Sequence, residues 1–341
     1  MNNKNSFGID LGTLNLRVYN KNNDGFHIEK NVIAIQNRKD LLAYGDSAYE
    51  MYEKNPSTIE IIFPLSNGVI GDICNMRLLI SNFINFISAG DYKGATYYLT
   101  IPTDVTEVEK KAFYDLVKES NLKHRGIYLI DKSVANGIGL DIDVKNAQGV
   151  LVVDVGYNTT EISVLSLGGI VSNKMIKMGG EKFDDVICQT VKKQNNIIIG
   201  KKTAEDLRII LSSTDDKVES ATIYGRDAVS GMPIEKTIMA NKINEALEGS
   251  FNTIVDSVRV ILERTPPALA ADIFKRGLYL TGGASTTTEL AKLIAKSTGL
   301  RINMAKEPLN STVAGIAKIV DNPDYKSVLY SKDRLKGDIL V

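Results

Sequence analysis

The sequence predicts an α/β fold of two similar halves around a cleft, each half with a smaller inserted subdomain, and three observations carry that expectation. One segment recurs, as IDLGTLNLRVY at 9–19 and VDVGYNTTEIS at 153–163. Strand and helix patterns alternate between the copies, in YYLTIP (97–102), TEVEKKAFYDLVKES (106–120) and GIYLI (126–130). A third glycine turn, LTGGAST at 280–286, stands between the apolar run GLYL and the helical pattern TTELAKLIAKSTG.

Each copy of the repeat starts with an apolar run, Phe7 to Ile9 or Val150 to Val153, bends at Gly12 or Gly156, and resumes as a strand. The same punctuation in both halves suggests a duplication whose turns face each other across the cleft. The chemistry suited to that pattern is phosphate binding, because glycine admits close backbone approach and a tight turn aims successive N–H groups at an anion. Asp10 and Asp154 end the first strand of each copy, where a carboxylate can hold the water shell of a magnesium ion. A plainer reading remains open for either copy alone, a hairpin with ordinary Asp and Gly turn chemistry. The LTGGAST turn fits a nucleotide seat at a helix N-terminus, with Gly282, Gly283, Ala284 and Ser285 as its residues.

Other elements follow from spacing. MRLLISNFINFI at 76–87 reads as a core helix, and 106–120 as a helix with an apolar face of Val108, Ala112, Leu116 and Val117. The region 212–240 reads as a small strand-rich module, and 241–265 as a long helix. At 341 residues the chain has room for two domains, and its 43% hydrophobic and 24% charged residues fit a soluble globular protein. Forty-one basic residues balance forty-one acidic ones, so no overall field draws the chain to nucleic acid or an anionic bilayer. MNNKNS lacks a signal-peptide core and no stretch approaches a membrane span, so a cytoplasmic protein is expected. Cys74 and Cys188, with only His27 and His124, supply neither a disulfide pattern nor a zinc site.

The paired loops and the Gly-Gly turn resemble the superfamily of actin, sugar kinases and the large heat-shock ATPases. GIDLGTLN, PLSNGVIGD, IPTDVTEVEKKA, TEISVLSLGGIV, IIIGKKTAEDLR, GRDAVSGMP, LERTPPALAADI and LTGGAS resemble the MreB family of bacterial actin homologues in particular, in family order over nearly the whole chain. The resemblance implies an actin-like ATPase fold with ATP and magnesium between the halves. Domain I would span 1–145 and 315–341, with a small subdomain at about 33–74; domain II would span 146–314, with one at about 182–245. It implies homopolymeric filaments under the membrane, supporting cell shape or motility, with paralogous filament proteins as further partners. By the same resemblance Thr13, Leu14 and Asn15 form the first phosphate loop and Tyr157, Asn158 and Thr159 the second. Glu205 and Arg208 would face the ribose and base, against the plainer reading of an exposed helix pair.

Three departures stand out. The family's second loop carries consecutive glycines where this chain has Tyr157 and Asn158, so backbone freedom is expected to be lost there. The family's catalytic glutamate is replaced by Lys132, in the string Asp131, Lys132, Ser133. An ammonium has donors and no acceptor, so it cannot orient or deprotonate water, and hydrolysis is expected to be slow or absent. Asp131 is an imperfect substitute, since neighbours at a helix start point about 100° apart. Third, the family's usual membrane anchors are missing. What remains is the loop 89–98, with Tyr92, Tyr97 and Tyr98, and a basic tail with Tyr325, Val328, Leu335 and Ile339 among Lys326, Lys332, Arg334 and Lys336. A solvated tail is the competing reading. The alternative function is a small-molecule phosphotransferase of the sugar-kinase type, which needs a carboxylate aimed at a substrate hydroxyl.

Overall fold

The computed structural model describes residues 5–212 and 218–330. The chain divides into two compact units, the first made of residues 1–148, 165–173 and 310–341, the second of 149–164 and 174–309.

Unit 1 begins with β1 (Ser6–Leu11), β2 (Asn15–Asn20) and β3 (Gly25–Lys30), an antiparallel meander. A small sheet follows from β4 (Ile33–Gln36), β5 (Asp40–Tyr44) and, after helix α1 (Asp46–Met51), β6 (Ile59–Ile62). The short pair β7 (Leu65–Ser66) and β8 (Val69–Ile70) leads into α2 (Ile73–Ile87), whose N-cap Asp72 accepts from the Asn75 backbone N–H at 3.0 Å. Then β9 (Ala95–Ile101), α3 (Glu107–Lys118), β10 (His124–Asp131) and α4 (Lys132–Gly139) complete the alternation. β9 and β10 run parallel to β1, giving a five-stranded sheet in the order β10-β9-β1-β2-β3.

In unit 2 the same plan recurs. β11 (Val150–Val155) and β12 (Thr160–Ser166) form the second copy of the repeat, followed by β13 (Gly169–Ile176), whose residues up to Asn173 are assigned to unit 1, and by α5 (Gly180–Asn195). β14 (Ile197–Ile198), α6 (Lys201–Ser212), β15 (Ser220–Asp227) and β16 (Pro233–Met239) form the inserted module, and α7 (Ala240–Arg264) and α8 (Pro267–Arg276) return the chain to β17 (Leu278–Thr281), α9 (Thr288–Thr298) and β18 (Ile302–Met304). The sheet order is β13-β12-β11-β17-β18. In each sheet the strand carrying the repeated aspartate one residue before its end is central, with its hairpin partner on one side and parallel strands on the other. The duplication expected from two short sequence echoes is therefore present in the topology.

Each unit has its own core. Phe7, Ile9, Phe83, Leu99, Phe113 and Leu129 pack in the first, while Val153, Phe183, Phe251, Ile254 and Leu280 pack in the second. On α3 the buried residues are Phe113, Leu116 and Val117, whereas Val108, expected on the apolar face, is 79% exposed. Val108 lies in the first turn, ahead of the stretch that meets the sheet. Tyr97 and Tyr98 are likewise not loop residues: both are buried in β9, which removes them from any membrane-binding loop. Among the described residues no helix is long and apolar enough to cross a membrane.

The closing helix α10 (Ser311–Asp321) crosses α4 at very close range. A Cβ at Gly139 would stand 1.8 Å from the Ser311 carbonyl oxygen, and one at Gly315 1.8 Å from that of Ala135. Only glycine permits this approach, and it fixes the helix that Lys132 opens.

Candidate functional site

In unit 1 the first turn is shaped by glycine and stapled by an asparagine. A Cβ at Gly12 would meet the Asn15 carbonyl oxygen at 2.6 Å, so no other residue allows the hairpin to close so tightly. Asn31, fully buried, donates from Nδ2 to the Gly12 carbonyl at 2.9 Å, and its backbone N–H reaches the Leu14 carbonyl at 2.8 Å. Leu14 is buried, so its side chain is withdrawn from the surface of the turn, while Thr13 and Asn15 beside it are half-buried. Asp10, 1% exposed, accepts from Thr100 Oγ1 at 3.1 Å on one oxygen and from Arg17 Nη1 at 3.3 Å on the other. Neither Asn31 nor Arg17 was singled out from sequence, although a cation in an otherwise buried strand was a signal to follow.

Sheet register decides the faces. Asp10 shares its face with Thr100 and therefore with Ile130, the register partner of Thr100 on β10. Asp131, one residue on, pairs with Ile101 and turns to the opposite face. There it accepts from the Tyr330 hydroxyl at 2.8 Å, and Tyr330 itself bridges to Leu129 through two backbone hydrogen bonds. Burial pushes the Asp131 carboxyl above its usual range, with the Tyr330 hydrogen bond and the Lys110 charge opposing. Lys132 then opens α4 at the carboxyl end of β10, beyond Ile130 on the strand that flanks the Asp10–Thr100 pair. The weakness ascribed to Asp131 on helix geometry is thus decided by strand alternation.

Unit 2 gathers most of the expected residues at one place. Asp154 is buried and in register with Thr281, and Gly282, at φ +96°, passes so close that a Cβ would lie 2.2 Å from Asp154 Oδ1. The turn is closed by the Ala284 N–H on the Val155 carbonyl at 2.9 Å and by Ser285 Oγ on the Gly282 carbonyl at 2.7 Å. Gly283 continues that turn toward Leu309. Gly156 N–H donates to the Thr159 carbonyl at 2.9 Å, and the N–H groups of Gly180 and Glu181, opening α5, hold the Gly156 and Tyr157 carbonyls at 3.0 and 2.8 Å. Asn158 adds a side-chain bond to Glu181 Oε2 at 2.5 Å. Neither Tyr157 nor Asn158 is among the residues with positive φ, so the expected penalty for replacing glycine is absent: this bracing gives the loop a shape that L-residues adopt.

Gly179 and Gly180, which the sequence reading passed over, make that bracing possible. A Cβ at Gly180 would stand 3.2 Å from Arg208 Nη2, 3.3 Å from Tyr157 Cδ2 and 3.5 Å from Ala284 Cβ, so three expected site segments converge on this one glycine. Arg208 is no exposed helix residue: 3% exposed, it bonds Asp184 through Nε at 2.7 Å and Nη2 at 3.5 Å. Burial raises the Asp184 carboxyl to about 6, against the pull of Arg208, while the charge of half-buried Glu205 adds to the rise.

The magnesium role expected of Asp10 meets an obstacle in this arrangement. Both its oxygens already have partners, one of them a cation, so a metal's water shell fits there only if the Arg17 pair opens. Among the described residues no group of three or more His, Cys, Asp or Glu side chains is placed to hold a metal ion directly.

A family model described as MreB/Mbl protein matches residues 4–327. The chain belongs to the MreB/Mbl family. It is 36% identical to the cell shape-determining protein Mbl of Bacillus subtilis over 321 residues, 93% of this chain and 96% of that protein. It is 33% identical to the cell shape-determining protein MreB of Escherichia coli, covering 94% of each. Among solved structures it resembles MreB5 of Spiroplasma citri bound to AMPPNP, at TM-score 0.86 and 30% identity over 98% of this chain and 97% of that one. The MamK double helical filament, at TM-score 0.77 and 20% identity, shares the actin-like fold, covering 93% of this chain and 98% of that one.

Of the tail residues proposed to touch a membrane, Leu335, Ile339, Lys332, Arg334 and Lys336 lie outside the described residues. Val328, expected on the same apolar face, is buried, and Tyr325 sits on a 3-10 turn, Pro323–Val328, against Lys145.

Proposed function

We propose that this MreB/Mbl member is an ATP-binding bacterial actin that polymerises into filaments under the membrane, serving cell shape or motility, with ATP hydrolysis slow or absent. The observation carrying the last clause is the pair Asp131 and Lys132. The carboxylate lies on the sheet face opposite Asp10 and is engaged by Tyr330, while the residue opening α4 is a lysine. A carboxylate in the lysine's place could accept a proton from water; an ammonium cannot, and absence of a general base costs about 10²- to 10⁴-fold. The nucleotides in the MreB5 neighbours, AMPPNP and ADP, support ATP as the ligand.

In this reading the backbones of Gly12 to Asn15 and Gly156 to Thr159 receive the phosphates, with Thr159 presenting its hydroxyl near the terminal one. Gly282 to Ser285, Glu205 and Arg208 border the nucleoside, and Asp154 orders the waters of a magnesium ion that accompanies ATP. Filaments are homopolymers, with paralogues as further partners. The protein resides in the cytoplasm, and contact with the inner face of the membrane is assigned to the tail around Leu335 and Ile339. Sedimentation with and without ATP, beside phosphate release under the same conditions, tests the proposal. ATP-dependent pelleting with little phosphate is expected. Release as fast as in a relative with the glutamate in place would overturn the slow-hydrolysis clause.

A further inference from the structure

Arg17 stands directly opposite Asp10 in the β1–β2 ladder, and the two side chains meet on one face. The Arg17 side chain is 11% exposed, yet its planar fork is poorly used: a single 3.3 Å contact runs from Nη1 to Asp10, and the buried Nε has no hydrogen-bond partner. A guanidinium desolvated to this extent ordinarily engages its donors in pairs. The same Nη1 lies 3.4 Å from where a Cβ on Gly12 would stand, so the cation abuts the turn whose N–H groups form the first phosphate loop. A dense anion there would find both the turn and an under-satisfied guanidinium.

We propose that Arg17 is a phosphate-binding residue of the first loop, taking the terminal phosphates of a nucleoside di- or triphosphate, and that its pairing with Asp10 lowers the dependence of nucleotide binding on magnesium. The proposal rests on the nucleotide-binding reading above. Its logic is competition for Asp10. While Arg17 neutralises that carboxylate, a metal's hydration shell gains little from it, and the guanidinium supplies positive charge to the phosphates in place of the ion. Without Arg17, Asp10 is an uncompensated buried anion that repels ATP unless a divalent cation comes with it.

Calorimetric titration with ATP, in excess magnesium and in excess EDTA, tests this for the wild type and Arg17→Leu. The variant should bind about tenfold to a hundredfold more weakly than the wild type in EDTA, with a much smaller deficit in magnesium. A ratio of magnesium to EDTA affinity that is the same in both proteins, or larger in the wild type, overturns the proposal while leaving the nucleotide site intact. Failure of the wild type to bind ATP in either buffer overturns the nucleotide reading together with it. Circular dichroism melts of the apoproteins report folding. Should Arg17→Leu not fold, Arg17→Gln, which retains a donor to Asp10 without the charge, is read by the same ratio.

Discussion

Lys132 and Asp131 illustrate how one step along a backbone separates two chemistries. β10 delivers Asp131 to the face of Tyr330 and Lys110, and α4 begins with the next residue. Glutamate reaches about as far as lysine, so Lys132→Glu should place an acceptor where water needs one and raise phosphate release about 10²-fold or more, measured in a coupled phosphate assay. Tyr157 and Asn158 are not among the residues with positive φ, so the loop carries no left-handed strain of the kind a glycine would relieve. No gain from Lys132→Glu, in protein that still binds ATP, would make the lysine a bystander. The complementary substitution is Asp131→Asn. It keeps a partner for the Tyr330 hydroxyl, so stability should fall by no more than about 1 kcal/mol and phosphate release should not change. A drop in release would place Asp131 in the reaction.

Helices α5 and α6 are joined by a buried ion pair, and its energetics belong to both elements. Arg208 and Asp184 are 3% and 0% exposed, so deleting the cation strands a carboxylate away from water, at a cost of about 3–5 kcal/mol. In Arg208→Leu burial acts on Asp184 with only the weaker pull of the Lys201 charge against it, and its folded pKa should climb beyond the wild-type value of about 6. A carboxyl whose folded pKa is raised contributes stability below its unfolded pKa, near 4, and loses that contribution as pH rises through the folded value. The deficit of Arg208→Leu against wild type should therefore be small near pH 5 and full near pH 8 in urea unfolding. A deficit independent of pH would mean that lost packing, and not the stranded charge, dominates. Adding Asp184→Asn should recover much of the loss at the higher pH. Because Gly180 sits against Arg208 and Tyr157, the same helix pair braces the turn proposed as the second phosphate loop, and on that proposal nucleotide affinity should fall with the pair.

For the whole molecule, the slow hydrolysis proposed above would set the lifetime of the proposed assembly. If ATP drives polymerisation and hydrolysis triggers its release, filaments of the wild type should persist in pelleting assays for as long as ATP remains bound. Lys132→Glu filaments should form and then decay as phosphate appears. Equal decay in the two proteins would show that filament turnover is not governed at this position.

Much of this was legible in the sequence because it is local. The two aspartate-glycine turns, the alternation of strand and helix and the Gly-Gly turn before α9 follow from neighbouring residues whose periodicity or backbone needs are visible in a short window, while the lysine in the glutamate position is what the resemblance to the family implies. The rest was decided by pairing across long stretches of chain. Asp131 is engaged by Tyr330, 199 positions away, on a face set by a register that no window contains. Arg208 was legible as a charged helix residue, but only the packing of α6 on α5 buries it against Asp184. Arg17 meets Asp10 because an antiparallel ladder sets those two residues opposite each other, and Tyr157 is relieved of strain because Gly179 lets α5 reach the loop carbonyls. Turn and helix propensities act within a few residues; which face a strand residue occupies, and what meets it there, is settled only when the whole sheet assembles.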